Sequence, residues 1–123
     1  KNAASLVFRL KVRGLSVLLT GDLENEGEEM LVQSGIQHAD ILKVGHHGSK
    51  NGTGEELLRQ LRPKIAIVSA GKKNRYGHPH RETVRRLNDS GCSIYETSRS
   101  GMLWFSMERK RWYLNSKLDI MKQ

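Results

Sequence analysis

The chain has 123 residues, 28% of them charged, with a formal net charge of +8. This length allows one modest domain with its own core, and the charge favours anionic partners such as nucleic acid, phosphorylated polymers or an anionic membrane face. The single cysteine, Cys92, excludes an internal disulfide framework and is interpreted as a small buried hydrophobic residue. No stretch approaches the roughly 20 apolar residues of a transmembrane helix, and no signal-peptide pattern opens the sequence. We expect a soluble piece of a longer parent, because the chain begins at Lys1 without a methionine.

The first third of the sequence predicts two strands and a helix. The strands are "SLVFRLKV" and "LSVLLT", which are rich in β-branched and apolar residues and are joined by a tight turn at Arg13-Gly14. The helix is predicted over "GDLENEGEEMLVQSG", because acidic residues crowd its first turns and Gly35 stops it. Asp22 is then either the cap of this helix or a functional residue.

From residue 39 onward, predicted strands and helices alternate. Two buried strands are expected at "ADILKVG" and "KIAIVSAG", and further strands at "SIYET", "MLWFSM" and "RWYLN". The helix between the first two carries a capping box, Thr53 with Glu56, and ends before Pro63. A later helix begins with Pro79 at a favourable first position and stops at Gly91. This alternation predicts an α/β layered domain.

Polar residues cluster where three of these strands end, which is where open α/β sheets bind ligands. The clusters are Gly21-Asp22, "GHHGS" at residues 45–49 and "GKKNRYGHPH" at residues 71–80. If the three loops converge on one edge, their aspartate and histidines indicate a hydrolytic metal site.

Each histidine also has a structural interpretation. One member of the pair His46 and His47 is expected to bond backbone carbonyls within the turn. His78 precedes a proline and is either a helix-entry residue or a ligand, and His80 is either an exposed first-turn side chain or part of the site. His38 lies outside any glycine loop and is predicted to be structural.

The order of the motifs resembles a known family. The segments "SLVFRL", "LSVLLTGDLE", "ADILKVGHHGSKNGT", "AIVSAGKKNRYGHPH" and "SGMLWF" look like the second half of a metallo-β-lactamase-fold hydrolase over residues 2–105, and most of all like the soluble domain of the ComEC family of bacterial DNA-uptake competence proteins. The resemblance implies an α/β fold that is half of an αββα sandwich, a mixed β-sheet with flanking helices. Residues 1–115 would be the C-terminal half of that domain, and residues 116–123 a tail.

The resemblance also implies metal ligands. Asp22 would be the carboxylate that bridges the two divalent ions, zinc or manganese, and His78 the last metal-binding histidine; a carboxylate suits the bridging position because each of its oxygens can bind one cation. The remaining ligands would come from a segment upstream of Lys1. Asn2 stands where many relatives carry another metal-binding histidine. The fragment alone is therefore expected to bind metal weakly or not at all, and to show little or no catalysis.

The double histidine is implied to serve the substrate. His47 matches a histidine that contacts the substrate phosphate, with His46 as the second choice for this catalytic role, and Ser49 assists. Further substrate-binding residues are expected in the stretch before the His78 loop and at the start of the chain: Lys72, Lys73, Arg75 and Asn2. The following helix carries either a phosphate-tracking patch or a solvated face: Arg81, Arg85 and Arg86.

The predicted function is metal-dependent phosphodiester hydrolysis, a nuclease activity on DNA during competence-related uptake. Two alternatives stay open: a phosphorylcholine esterase or lactonase of the same fold, or a catalytically degenerate DNA-binding module of a membrane channel protein. The expected partners are DNA, the N-terminal half of the same domain, the membrane-channel portion of the parent, and a second copy of the fragment that covers the exposed sheet face. The parent is expected in the bacterial cytoplasmic membrane, with this domain soluble on a side that the sequence leaves open.

Overall fold

The structure, a computed structural model, describes residues 6–49, 51–71 and 79–117, and of His46 only the backbone. Seven strands and four α-helices occur in these ranges, and a 3₁₀ helix spans Gly45–Gly48. In chain order the elements are β1 (Phe8–Val12), β2 (Leu15–Leu19), α1 (Asn25–Gln33), β3 (Ile41–Lys43), α2 (Glu55–Leu61), β4 (Ile65–Val68), α3 (Arg81–Asp89), β5 (Ser93–Glu96), α4 (Thr97–Ser100), β6 (Leu103–Glu108) and β7 (Arg111–Ser116).

The main sheet has five strands in the order β1-β2-β3-β4-β5. Strand β1 is antiparallel to β2, as expected for two strands joined at Arg13-Gly14, and strands β2 to β5 are parallel. Each parallel step is made through a helix, which is the connection that parallel strands need. The predicted mixed sheet with flanking helices is confirmed. The proposed boundary between domain and tail stays a prediction, with β7 running to Ser116.

The core lies on one face of this sheet. Alternate residues of the strands point to that face, and Leu18, Leu42 and Ala66, which are neighbours in the strand register, are fully buried there. Leucines of α2 and α3 complete the cluster, and α1 adds partly buried residues at its edge. All three helices therefore cover the same side of the sheet.

The other face of the sheet is apolar but only partly covered. The alternating residues Phe8, Leu10 and Val12 of the edge strand are about half exposed, at 53%, 49% and 50%. The hairpin of β6 and β7 lies near one end of this face, where Phe105 and Trp112 line a cavity of about 350 Å³ together with residues of β2, β3 and β4. A sheet with helices on one side and an apolar second side is the layer that an αββα half-sandwich requires.

Three details of the helices differ from the sequence predictions. The prediction of a capping box at Thr53 and Glu56 was wrong. The N-cap of α2 is Gly54, which has no side chain to cap the helix, and Glu56 pairs with Arg59. Pro79 lies outside α3, whose N-cap is His80, with its ring Nδ1 accepting from the backbone N–H of Glu82 at 3.2 Å. The short helix α4 was not predicted, because four residues carry no amphipathic period.

Candidate functional site

Three polar loops leave the sheet at the same edge. Leu19, Lys43 and Ile67 are register partners on the parallel strands β2, β3 and β4, so the residues that follow these strands emerge side by side. The predicted convergence is thus confirmed for the described part of each loop. We call residues 45–54, which lie between β3 and α2, the histidine loop; Lys50 within it is not described.

Two glycines of the histidine loop permit the contact between neighbouring loops. A Cβ atom on Gly45 would lie 2.9 Å from the hydroxyl oxygen of Thr20 and 3.2 Å from the carbonyl oxygen of Gly21. A Cβ atom on Gly48 would lie 2.6 Å from the Cβ of Pro79, and Gly48 has a left-handed φ of +84°. The glycines on either side of the two histidines are therefore required because the backbones approach so closely.

Asp22 is exposed on the loop that follows β2. Helix α1 begins at Asn25, and its N-cap is Glu24, which makes no side-chain cap hydrogen bond. The interpretation of Asp22 as the cap of this helix is therefore wrong, because Asp22 lies two residues before the capping position. The carboxylate instead stands at the loop edge next to the histidine loop.

His47 is exposed, and its ring is oriented by a backbone group of β4's loop. Its Nδ1 lies 2.6 Å from the carbonyl oxygen of Ser69. A carbonyl only accepts, so Nδ1 carries the proton, and in the neutral ring Nε2 holds the lone pair. The backbone of His47 is left-handed, with a φ of 53°, a conformation that costs energy in a residue other than glycine and persists only where the surroundings enforce it.

Ser49 is buried, and its hydroxyl donates to Oε2 of Glu24 at 2.6 Å. This bond ties the histidine loop to the start of α1. The predicted role of Ser49 in substrate binding stays a prediction, and the observed contact is one that holds the loop in place.

Two charged residues bind the second half of the histidine loop: Glu28, which sequence reasoning did not single out, and Arg86, which it placed only in a phosphate-tracking patch or a solvated face. Glu28 of α1 accepts from the backbone N–H of Thr53 at 2.7 Å and from that of Gly54. Arg86 of α3 donates to the carbonyl oxygens of Gly52 at 2.9 Å and Thr53 at 3.1 Å. Burial raises the pKa of the Glu28 carboxyl, against the opposing effects of these two N–H groups and the nearby Arg86 charge.

The sequence contains a signal that could have identified Glu28 as a residue with a specific partner. Glu28 lies three and four residues before Leu31 and Val32, so it shares a helix face with apolar residues that pack on the core. A carboxylate on an apolar helix face requires a specific partner. The sequence contains no comparable signal for Arg86. Arg85 and Arg86 are identical neighbours in the sequence, yet Arg85 is exposed and Arg86 is partly buried.

Several predicted site residues lie outside the described ranges, and their roles stay predictions: Asn2, Lys72, Lys73, Arg75 and His78. The side chain of His46 is likewise not described. Within the described ranges, no three histidine, cysteine, aspartate or glutamate side chains come together as a metal-binding group. Of the implied metal ligands only Asp22 is described, so the described residues alone do not form a complete metal site.

A second polar cluster lies at the opposite, amino end of the strands; we call His38, Asp40, Ser16 and Arg9 the amino-end cluster. The Asp40 carboxylate accepts from the backbone N–H of Ser16 at 2.9 Å and from its hydroxyl at 3.1 Å. The ring of His38 bonds Asp40 at 3.1 Å through Nε2 and the carbonyl oxygen of Leu61 at 2.7 Å through Nδ1. Arg9 donates to the carbonyl oxygen of His38 at 2.9 Å. The prediction that His38 is structural is confirmed.

The mixed sheet has helices on one face, an apolar second face and three loops at one edge, and these features define half of a layered α/β sandwich. The sequence profile of the Metallo-beta-lactamase superfamily matches residues 2–72, and the chain belongs to this superfamily.

Individual curated relatives show which proteins of this superfamily the chain is similar to. The chain is 47% identical over 112 residues to ComE operon protein 3 of Bacillus subtilis, 42% over 102 residues to Recombination protein 2 of Haemophilus influenzae, and 36% over 110 residues to Competence protein ComA of Neisseria gonorrhoeae. These matches cover 89%, 83% and 88% of this chain but only 14%, 13% and 16% of the relatives. The resemblance to ComEC-type competence proteins is therefore confirmed for this part of their length. Among the described residues, no helix is long and apolar enough to cross a membrane.

Proposed function

We propose that the chain is the C-terminal part of a metal-dependent phosphodiesterase domain that cleaves DNA during competence-related uptake. The observation that carries the proposal is the meeting of three loops at the carboxyl edge of the parallel sheet, with Asp22 and His47 exposed on two loops that touch. Two of the relatives bear the words competence and recombination in their names, which favours DNA as the substrate class.

In this proposal Asp22 and His78 hold metal ions, and further ligands come from a segment outside this sequence. Bound divalent ions would supply Lewis-acid stabilisation of a phosphodiester and a nucleophile at neutral pH. The carboxylate of Asp22 fits the bridging role because it is exposed at the loop edge and is not engaged as a helix cap. Both of its oxygens are hard donors of the kind that zinc and manganese accept.

His47 is proposed to hold the substrate phosphate. Because Nδ1–H is used by the Ser69 carbonyl, the ring can donate to a phosphate oxygen only through Nε2, and only as the doubly protonated imidazolium. A cation at that position would stabilise the negative charge that develops on the phosphoryl oxygens in the transition state. The Ser69 bond fixes the ring orientation in advance, so little reorganisation is needed.

The proposed DNA-binding surface extends from the loop edge along α3. Arg81 and Arg85 are exposed and four residues apart, so they lie on the same side of this helix. Arg86 is different: its guanidinium is committed to loop carbonyls, so its assignment to a solvated face or a phosphate-tracking patch was wrong. Lys72, Lys73 and Arg75 are proposed to extend the same surface.

The apolar second face of the sheet is proposed to pack against the N-terminal half of the same domain, and the whole domain is proposed to belong to a membrane protein that also forms the DNA channel. The half-exposed Phe8, Leu10 and Val12 lie on this face, and an apolar patch of this kind favours association. We expect the isolated chain to self-associate through it. Sedimentation should show oligomers, and the double variant Leu10→Lys with Val12→Lys should sediment as a monomer. A monomeric unmodified chain that binds no hydrophobic dye would contradict this.

The nuclease proposal is tested with the domain extended to include its N-terminal half. We expect manganese-dependent cleavage of DNA, and loss of at least about 100-fold in rate for Asp22→Ala. Asp89→Ala, which removes an exposed aspartate from the end of α3, is the matched control and should cleave normally. Equal cleavage by the Asp22→Ala variant and the unmodified domain would exclude a role for Asp22.

Two other outcomes would replace the proposal. Preference for a small chromogenic phosphodiester or a lactone over DNA would identify an esterase or lactonase of the same fold. Salt-sensitive DNA binding without metal dependence and without cleavage would identify a binding module.

A further inference from the structure

We propose that Arg86 and Glu28 are positioning residues: from two different helices they hold the backbone of residues 52–54, and in this way they fix the geometry of His47. The inference rests on the proposed role of His47 as the phosphate-holding residue. We call the two side chains together the loop clamp.

Arg86, the first side chain of the loop clamp, donates hydrogen bonds to backbone carbonyl oxygens of the loop. Nη2 donates to Gly52 at 2.9 Å, and Nε donates to Thr53 at 3.1 Å. Two successive carbonyls thus meet the planar fork of one guanidinium, a geometry that lysine cannot reproduce. The Arg86 side chain is only 16% exposed, so water does not readily replace these bonds.

Glu28, the second side chain of the loop clamp, accepts hydrogen bonds from backbone N–H groups of the same loop. Its two carboxylate oxygens accept from the consecutive N–H groups of Thr53 and Gly54. The N–H of Thr53 is therefore held by α1 while its carbonyl is held by α3. Thr53 has a left-handed φ of 55°, and bonds from two sides are the kind of surroundings that keep such a conformation in place.

The same two helices hold the first half of the histidine loop. From α3, the N–H of His80 donates to the carbonyl of Gly48 at 2.7 Å, and the hydroxyl of Thr83 donates to that of Ser49 at 2.9 Å. His80, Thr83 and Arg86 are spaced by three, so they form one row along the loop. From α1, Glu24 and Glu28 are spaced by four and bind Ser49 and residues 53–54.

This arrangement links the candidate site residues to one another. Helix α1 follows the loop that carries Asp22, and helix α3 follows the loop that carries His78. Because the histidine loop is bonded to both helices, we expect the loop clamp to fix the position of this loop relative to α1 and α3. Small displacements of a reacting group are costly in catalysis, so the clamp acts through His47 without touching substrate.

The test uses the chain as it is, with the imidazole nitrogens of His47 observed by ¹⁵N NMR. In the unmodified protein the ring should show one tautomer, with the proton on Nδ1 and slow exchange of that proton. In Arg86→Lys and in Glu28→Gln we expect the tautomers to become mixed and the Nδ1 proton to exchange about tenfold faster or more, as when a hydrogen bond that restrains local opening is lost.

The controls make the result specific. The ring of His38, which lies at the other end of the sheet, should be unchanged in both variants and reports that the fold persists. Arg59→Lys and Glu29→Gln make the same chemical changes at exposed positions on α2 and α1 and should leave the His47 signal unmoved. Millimolar guanidinium should restore the unmodified signal to an Arg86→Ala variant.

The proposal is overturned if the folded Arg86→Lys and Glu28→Gln variants keep the unmodified His47 signal, or if the exposed controls shift it equally. If one variant fails to fold, the other decides. In the extended domain, both variants should lower kcat about tenfold or more while the KM for DNA changes little. Absence of cleavage by the unmodified domain would refute the proposed function and leave the NMR result standing as the test of the loop clamp.

Discussion

The two ends of the parallel sheet place histidine and aspartate in opposite arrangements. At the amino end, His38 and Asp40 bond each other, and their other hydrogen bonds reach Leu61 and Ser16. At the carboxyl edge, Asp22 and His47 lie on separate exposed loops, and the ring of His47 is oriented by a backbone carbonyl. A histidine and a carboxylate that bond each other stabilise the fold, whereas the exposed side chains on adjoining loops are the ones that we propose contact metal and substrate.

The backbone differs in the same sense. Positive φ occurs at both ends of the sheet, but in the loop of His47, Gly48 and Thr53 it is combined with close packing: a Cβ on Gly48 would lie 2.6 Å from Pro79, whereas one on Gly14, Gly35 or Gly91 would meet nothing within 4 Å. Such strain has to be held by contacts from other elements, and here α1 and α3 supply them. The two ends can therefore be distinguished by experiments on stability and activity together.

The largest expected effect is at Gly48. Gly48→Ala should lower the free energy of unfolding by about 3 kcal/mol or more, because the new Cβ both requires a left-handed φ and collides with Pro79 at 2.6 Å. Gly14→Ala is the matched control, since Gly14 has nearly the same φ, +85°, with nothing within 4 Å; it should cost only about 1 kcal/mol. Urea denaturation of both variants gives the comparison. Equal losses would show that the loops at the carboxyl edge are not tightly packed.

A smaller effect is expected at the amino-end cluster. Asp40→Ala should lower the free energy of unfolding by about 2 kcal/mol, because the buried N–H and hydroxyl of Ser16 lose their acceptor. In the extended domain, the rate of DNA cleavage per folded molecule should be unchanged. Loss of cleavage at full folding would show that the amino-end cluster contributes to activity and would remove the contrast between the two ends.

The amino-end cluster should also give stability a pH dependence. Partial burial by itself raises the pKa of the Asp40 carboxyl, but hydrogen bonds from Ser16 and His38 outweigh it and hold this pKa below its usual range. The folded state therefore binds this proton more weakly than the unfolded state. The stabilising contribution is present above the unfolded pKa of about 3.9 and is lost as the pH falls through the folded pKa.

Asp40→Asn, which cannot ionise, tests this dependence. Between pH 6 and pH 3 the unmodified chain should lose about 0.5 kcal/mol more stability than the variant, a small value because the carboxylate remains partly in contact with solvent. Thermal unfolding at both pH values is sufficient. Parallel losses in the two proteins would mean that Asp40 does not carry the effect.

Much of the fold follows from local sequence pattern. Short runs rich in β-branched and apolar residues predicted the strands, and Gly35 and Gly91 marked helix ends, where both adopt a left-handed φ of 79° and 86°. The placement of three loops at one edge followed from the alternation of strands and helices alone.

What sequence pattern could not supply was the set of long-range partners. Thr53 and Glu56 have capping-box spacing, yet the N–H of Thr53 bonds Glu28, which lies 25 residues earlier in the chain. Arg85 and Arg86 are chemically identical neighbours, and only the packing of α3 against the histidine loop commits one of them to backbone carbonyls. Local signals do not encode such choices, because each depends on how separate helices meet.

The smallest expected effect on stability is at Asp22. This substitution is also the most informative one, because it is expected to separate activity from stability. Asp22→Ala should change the free energy of unfolding by no more than about 0.5 kcal/mol, because the residue is exposed and precedes the capping position of α1. The same substitution should abolish DNA cleavage by the extended domain. Asp40→Ala and Asp22→Ala would thus have opposite profiles, one costing stability without activity and the other activity without stability. If Asp22→Ala instead destabilised the chain as much as Asp40→Ala, its carboxylate would serve the fold, and lost cleavage could no longer be ascribed to metal binding.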